Sequence, residues 1–160
     1  MLRFIKYFLL FILLIILQIY FEGNIFLKPI IHLSLLFTVF SFFTLPFSLS
    51  LLFAIISGIV FDSFSNFSWG VYLFIFILIV LGGKLLTKIF EEKSFWSRLL
   101  IGEIMIISYF VILFVWGLLF AHLNLGWLVF INLLINSLLY LGVLILSNHS
   151  ILYELKKKHH

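Results

Sequence analysis

Residues 29–62 read PIIHLSLLFTVFSFFTLPFSLSLLFAIISGIVFD, and this stretch decides the fold. Between Ile30 and Phe61 it is almost wholly apolar, and it is far longer than the roughly 20 residues that cross a bilayer as a helix. Pro46 divides it, and a proline inside a helix removes a hydrogen bond and clashes with the preceding turn. The pattern therefore predicts a hairpin of two antiparallel apolar helices with Pro46 at the turn.

The composition extends this interpretation to the whole chain. Hydrophobic residues make up 65% and charged residues 10%, and the mean hydropathy is +1.34. Long runs rich in Leu, Ile and Phe favour membrane helices over the alternating strands of a membrane barrel. The chain has no cysteine, which excludes disulfides and thiolate metal sites. No basic soluble patch is long enough for nucleic acid, so we expect an all-α integral membrane protein.

Residues 1–160 are expected to form a single transmembrane domain, a bundle of six helices with short loops. The first helix follows basic residues as a signal peptide does, but it lacks a small-residue cleavage site and should remain as an anchor. The predicted helices cover residues 4–21, 29–45, 46–61, 69–86, 99–121 and 127–146.

The distribution of basic residues predicts the orientation. With six spans, every Lys and Arg except Lys28 falls on one side of the membrane. Since cytoplasmic loops are enriched in Lys and Arg, both termini should be cytoplasmic, as in a multi-pass protein of a bacterial inner membrane. The loop that follows Asp62 should then face outward. The basic C-terminal tail can bind anionic membrane lipids.

Asp62 is the acid that most needs an explanation, because a charge at the centre of a membrane helix costs roughly 2.5–3.5 kcal/mol. Measured from the turn, His32, Asp62 and Lys28 lie at heights of about 21, 24 and 27 Å. We therefore expect Asp62 to pair with His32 or Lys28. Gly58, on the same helix face as Asp62, should let the backbone of another helix approach closely. The alternative is that Gly58 only packs and that Asp62 accepts hydrogen bonds from backbone N–H groups of the loop.

The outward loop ends at Ser68, Trp69 and Gly70, a sequence that predicts an N-cap opening the fourth helix. One acid in a polar loop is no catalytic constellation, because catalysis needs a nucleophile with its base, paired carboxylates or a metal cluster. We therefore expect no enzyme activity, no cofactor and no metal site.

Other polar residues within the spans are interpreted mainly as contacts between helices. Asn132 and Asn136 share one helix face, which should turn into the bundle. The role of Glu103 depends on the start of the fifth helix, since a start at Leu99 makes it interfacial, whereas a start near Ser94 places it deeper and favours a functional role. The polar residues assigned to packing are Gln18, Glu103, Asn132 and Asn136.

Taken together, these features resemble the rod shape-determining protein MreD family, small polytopic proteins of the bacterial inner membrane. The resemblance covers most of the chain. It differs at Ile30 and Ile31, where family members often carry a more polar residue. It rests on Leu17-Gln18-Ile19 closing the first helix, Pro29 before the second, Pro46 at the hairpin, Gly58-x-x-x-Asp62, and Gly70 opening the fourth helix.

The resemblance implies a non-enzymatic subunit of the cell-elongation complex that binds MreC, a single-span protein with a periplasmic domain. Through MreC it implies a link to the MreB filament and to RodA with its penicillin-binding partner. We expect the MreC contact at the outer end of the bundle, near Gly58, Asp62 and Gly70.

A second function class is the substrate-binding component of an energy-coupling vitamin transporter, which is also a small six-helix membrane protein. Such components dock through small residues of their first helix, whereas residues 8–20 here are bulky. The outer loops also offer few convergent polar groups for a vitamin. The sequence therefore favours the elongation subunit.

Overall fold

The computed structural model describes the backbone of residues 2–23, 32–64, 69–90, 94–121 and 126–158, and all of its regular elements are helices. The expected all-helical class is thus confirmed. The α-helices are α1 (Leu2–Gly23), α2 (Leu33–Thr44), α3 (Phe47–Phe64), α4 (Val71–Ile89), α5 (Phe95–Trp116) and α6 (Gly126–Lys158), and the π-helix Gly117–Ala121 continues α5.

The turn between α2 and α3 consists of Leu45 and Pro46. Leu45 is extended, with φ −118° and ψ 160°, which is the conformation favoured before a proline. The Pro46 carbonyl then accepts the first hydrogen bonds of α3, from the N–H groups of Leu49 at 2.9 Å and Ser50 at 3.1 Å. The turn therefore reverses the chain and makes α2 and α3 antiparallel neighbours.

Helix α2 is shorter than the sequence pattern predicts. Its N-cap is His32, whose φ of −98° and ψ of 78° are not helical, so the helix begins at Leu33 and not at Pro29. Its 12 residues rise about 18 Å, less than the about 30 Å of a hydrocarbon core. Apolar character could not locate this start, because it is set by polar side chains of other helices.

Other helix boundaries also differ from the expectation, and the structure gives a reason for two of them, the start of α5 and the end of α6. Helix α5 begins at Phe95 and not at Leu99, since the hydroxyl of Ser94 caps it by accepting from the Ser97 N–H at 3.0 Å. Helix α6 continues to Lys158, beyond the predicted end at residue 146, because no proline or glycine interrupts its polar extension.

Among the residues that the structure describes, four segments are long and apolar enough to cross a membrane, which indicates a membrane protein. The described apolar parts of the first two helices, Ile5–Tyr20 and Leu33–Thr44, are shorter. The four segments are Phe47–Phe64, Val71–Ile89, Phe95–Leu119 and Val129–Ser147.

The short helix α2 lies at the centre of the bundle, where it contacts each of the other five α-helices. Most of its residues are buried, including the small polar side chains of Ser34, Thr38 and Ser41. Helix α1 is held to the α2–α3 hairpin by the side chain of Phe11, whose ring lies 5.1 Å from that of Phe37 and 4.7 Å from that of Phe53. The core therefore forms around α2.

Candidate functional site

Asp62 caps the N-terminus of α4. Its two carboxylate oxygens accept hydrogen bonds from the backbone N–H groups of Tyr72 at 2.9 Å and Leu73 at 3.1 Å. The first N–H groups of a helix have no partner within that helix, and its N-terminus carries partial positive charge. Asp62 is only 3% exposed, so both effects act away from water.

Gly58 brings α3 and α4 close enough for this cap. A Cβ at Gly58 would collide with the backbone of Leu73, lying against its Cα and 2.8 Å from its nitrogen. Gly58 and Asp62 are four residues apart and share one face of α3. The absent side chain therefore lets α4 approach, and the carboxylate one turn later receives its N–H groups.

Gly70 completes the junction, which we call the α4 cap and define as Gly58, Asp62 and Gly70. Gly70 is the N-cap residue of α4 and has a positive φ of 94°, a conformation that favours glycine. Its own residue type offers no side-chain acceptor, and Asp62 supplies one from α3. Ser68, the expected cap, lies outside the described residues.

The expected ion pair between Asp62 and His32 does not form. The hydrogen bonds of Asp62 go to the α4 backbone, and the His32 ring bonds elsewhere. The alternative interpretation, a carboxylate that accepts from backbone N–H groups, describes the observed contacts, with helix α4 as the donor. Height along the hairpin could not distinguish the two, because it ignores the N–H groups exposed where α4 begins. Lys28 lies outside the described residues.

The N-terminus of α2 is capped by side-chain amides from the first and last helices. Gln18 of α1 accepts from the Leu33 N–H at 2.7 Å through Oε1, and Asn136 of α6 accepts from the His32 N–H at 2.9 Å through Oδ1. We call Gln18, His32 and Asn136 the α2 cap. In hydrocarbon every backbone polar group needs a protein partner, and these two amides supply it for a helix that begins deep in the bundle.

Side-chain contacts fix the orientation of the α2 cap. Asn136 Nδ2 donates to the backbone carbonyl of Asn132 at 2.7 Å, which points its oxygen toward His32. The His32 ring has its Nδ1 3.4 Å from the Tyr109 hydroxyl, and its centroid lies 5.9 Å from Phe61 and 5.4 Å from Phe110. The imidazole is thus enclosed by aromatic rings and 6% exposed.

Three buried side-chain oxygen atoms have no hydrogen-bond partner in the described part of the chain. They are the Oγ atoms of Ser34 and Ser57 and the Oδ1 atom of Asn132. Burying such an atom without a partner costs about 1–3 kcal/mol. Ser34 lies in the first turn of α2, and Asn132 lies one turn from Asn136 on α6.

Glu103 belongs to a separate polar contact between α5 and α6. With α5 beginning at Phe95, Glu103 lies about 12 Å into the helix, the deeper of its two expected positions. Its carboxylate interacts with Ser137 of α6. Nearby, the Tyr140 ring covers Gly102, where a Cβ would collide with it, and its hydroxyl donates to the Arg98 carbonyl at 2.8 Å.

The structure thus distributes the sequence-predicted residues over three places. Gly58, Asp62 and Gly70 meet at the α4 cap, and Gln18, His32 and Asn136 meet at the α2 cap, with Asn132 adjoining. Glu103 lies apart, between α5 and α6. Sequence reasoning missed Tyr109, since a tyrosine in an apolar run gives no sign of the imidazole beside it.

The chemistry of these sites is that of hydrogen bonding between helices. No three His, Asp or Glu side chains within the described ranges are grouped as metal ligands.

Comparison with known proteins finds no family model, no characterised protein and no solved structure that matches this chain.

Proposed function

We propose that this protein is a non-enzymatic subunit of the bacterial cell-elongation complex, of the MreD type, and that its partner is MreC. In this proposal it crosses the inner membrane six times with both termini in the cytoplasm. Through MreC it is linked to MreB, to RodA and to the penicillin-binding partner of RodA, and so supports rod shape and lateral peptidoglycan synthesis.

The observation that carries the proposal is the α4 cap. Gly58, Asp62 and Gly70 are among the residues on which the resemblance rests, and they meet in one junction of α3 with α4. The resemblance also rests on Gln18 and Pro46. Gln18 caps the start of α2, and Pro46 lies in the turn that follows its end. Residues that are weak indicators one by one thus all contribute to the packing of α2, α3 and α4, which is a physical reason for their occurrence together.

The proposed contact lies beside the α4 cap, at the outer end of α3 and α4. Phe64 is 56% exposed and Trp69 is 77% exposed, and both border the segment that joins these helices. Phe and Trp are both enriched at protein interfaces, and Trp is among the residue types that contribute most to binding energy there. We assign the MreC contact to this aromatic edge, which Asp62 and Gly70 hold in position.

Photo-crosslinking in cells tests the proposal. A photo-reactive amino acid replaces Phe64 or Trp69 in a strain that expresses MreC, and we expect a crosslinked product that contains both proteins. Trp96 is the matched control, because it is 75% exposed and lies at the start of α5. Crosslinking to MreC from Trp96 alone would move the contact to the other end of the bundle.

Absence of MreC from every crosslinked product, in a strain where the protein is inserted and MreC is present, would contradict the proposal. So would tight binding of a vitamin by the purified protein, which would indicate the transporter component instead.

A further inference from the structure

A groove of 380 Å³ runs along the surface between α4 and α5. Gly82 and Gly83 open it on α4, and Ser108 is the single polar side chain among its lining residues. A Cβ at Gly82 would meet no atom within 4 Å, whereas a Cβ at Gly83 would lie 2.9 Å from the Met105 sulfur. Gly82 therefore faces the open part of the groove, and Gly83 faces the packed core.

The length of the groove matches one leaflet of a bilayer. On α4 it runs from Leu78 to Ile89, which is a rise of about 17 Å, roughly half of a hydrocarbon core. A partner helix that crosses the membrane would need a surface about twice as long. A single acyl chain needs only the depth of its own leaflet, so the length favours a lipid chain as the occupant.

The charge at one end of the groove selects among lipids. The groove reaches Ile89, the last residue of α4, and Lys88 lies in that last turn with its side chain exposed. Lys84 lies one turn earlier and is also exposed, but its Nζ lies 5.7 Å from the centre of the Phe47 ring, so it faces α3 and not the groove. Ammonium groups where a helix leaves the membrane attract anionic lipid headgroups.

We propose that the α4–α5 groove binds one acyl chain of an anionic phospholipid whose phosphate lies beside Lys88. The apolar walls hold the chain, the absence of a side chain at Gly82 makes room for it, and the lysine supplies the preference for negative charge. The occupant is phosphatidylglycerol or a lipid with the same charged phosphate. This site is independent of the MreC contact, since it lies at the opposite end of α4 from the α4 cap.

Native mass spectrometry of the purified protein with added phosphatidylglycerol or phosphatidylcholine tests the site. We expect the wild type to retain phosphatidylglycerol preferentially and Gly82→Leu to lose it, because a leucine side chain at this position enters the groove and its Cβ meets no atom within 4 Å. Gly142→Leu is the matched control, since a Cβ there also meets nothing within 4 Å but lies on α6. Lys88→Gln should reduce the preference for phosphatidylglycerol about fivefold.

Equal retention of the two lipids by the wild type, or unchanged phosphatidylglycerol binding in Gly82→Leu, would overturn the proposal. Loss of a co-purifying single-span protein in Gly82→Leu, with lipid binding intact, would show that the groove takes a helix instead. If Gly82→Leu does not fold, Ser108→Leu fills the same groove from α5, and the same outcomes apply.

Discussion

The Ser50 hydroxyl donates to the Ser41 carbonyl at 2.9 Å across the α2–α3 hairpin. This bond fixes the register of two antiparallel helices. Ser34 precedes Ser41 by seven residues and Ser57 follows Ser50 by seven, so each lies about two helical turns further from the hairpin turn. The register thus places Ser34 and Ser57 at the same level, and both hydroxyl oxygens are buried without a partner.

The unpaired hydroxyls make Ser34→Ala and Ser57→Ala mild or favourable substitutions. Each removes a buried polar atom without a hydrogen bond, and we expect the free energy of unfolding to rise by up to about 1 kcal/mol. Ser50→Ala is the control, because it breaks the bond to Ser41 and should lower stability by about 0.5–1.5 kcal/mol. Unfolding in mixed micelles, followed by circular dichroism, measures all three. Strong destabilisation by Ser34→Ala would indicate a hydroxyl bridged by water.

Asp62→Ala should destabilise the protein by about 2–3 kcal/mol, because it leaves the N–H groups of Tyr72 and Leu73 without an acceptor away from water. Asp62→Asn retains one acceptor oxygen, so its stability should lie between those of Asp62→Ala and the wild type. Amide exchange at residues 72 and 73 in micelles reports the loss directly. If exchange there is unchanged in Asp62→Ala, the cap contributes nothing.

Gly58→Ala should cost about 1–3 kcal/mol, because the new methyl group meets the Leu73 backbone. Gly82→Ala on α4 is the matched control, since its methyl group enters open space and alanine favours a helix by up to about 1 kcal/mol. The same substitution is therefore expected to lower stability at Gly58 and to raise it at Gly82. Thermal denaturation in detergent measures it, and equal effects at both positions would contradict the close approach of α4.

Gln18→Leu should lower stability by about 1–3 kcal/mol, because the Leu33 N–H loses its acceptor inside the bundle. Leu17→Ala is the control on the neighbouring residue, which is 37% exposed and should matter little. Protease sensitivity and unfolding of the two purified variants separate these expectations. A Gln18→Leu protein as stable as the wild type would mean that the start of α2 finds another acceptor.

Tyr140→Phe keeps the ring over Gly102 and removes only the hydrogen bond to the Arg98 carbonyl, so the expected cost is about 0.5–1.5 kcal/mol. Gly102→Ala is expected to cost more, because its methyl group strikes the ring itself. Measured unfolding free energies of the two variants should therefore rank in that order. The reverse order would place the main contribution in the hydroxyl.

Apolar periodicity and proline chemistry were sufficient for the helices and for the turn at Pro46. They were insufficient for the start of α2, because that boundary depends on Gln18 and Asn136, which lie far away in sequence. The start of α5 was in principle readable from Ser94 as an N-cap, but the apolar run beginning at Leu99 gave the stronger signal.

The sequence was sufficient to identify the residues of the candidate site but not their hydrogen-bond partners. The unusual position of Asp62 and its spacing from Gly58 were visible in the sequence. Its acceptor role was one of two interpretations, because the donors are backbone atoms that carry no residue signature. The polarity of Gln18 and Asn136 was likewise visible, whereas their common target appears only when the first and last helices meet.

The α2 cap also dictates when the fold can close during synthesis. Helix α2 is made second, but one of its terminal N–H groups is satisfied by Asn136, which belongs to the last helix. Until α6 emerges from the ribosome, that amide remains without this acceptor. A nascent chain arrested before α6 would therefore expose the His32 N–H to lipid or to the translocon, a chemical difference that disappears once α6 has packed.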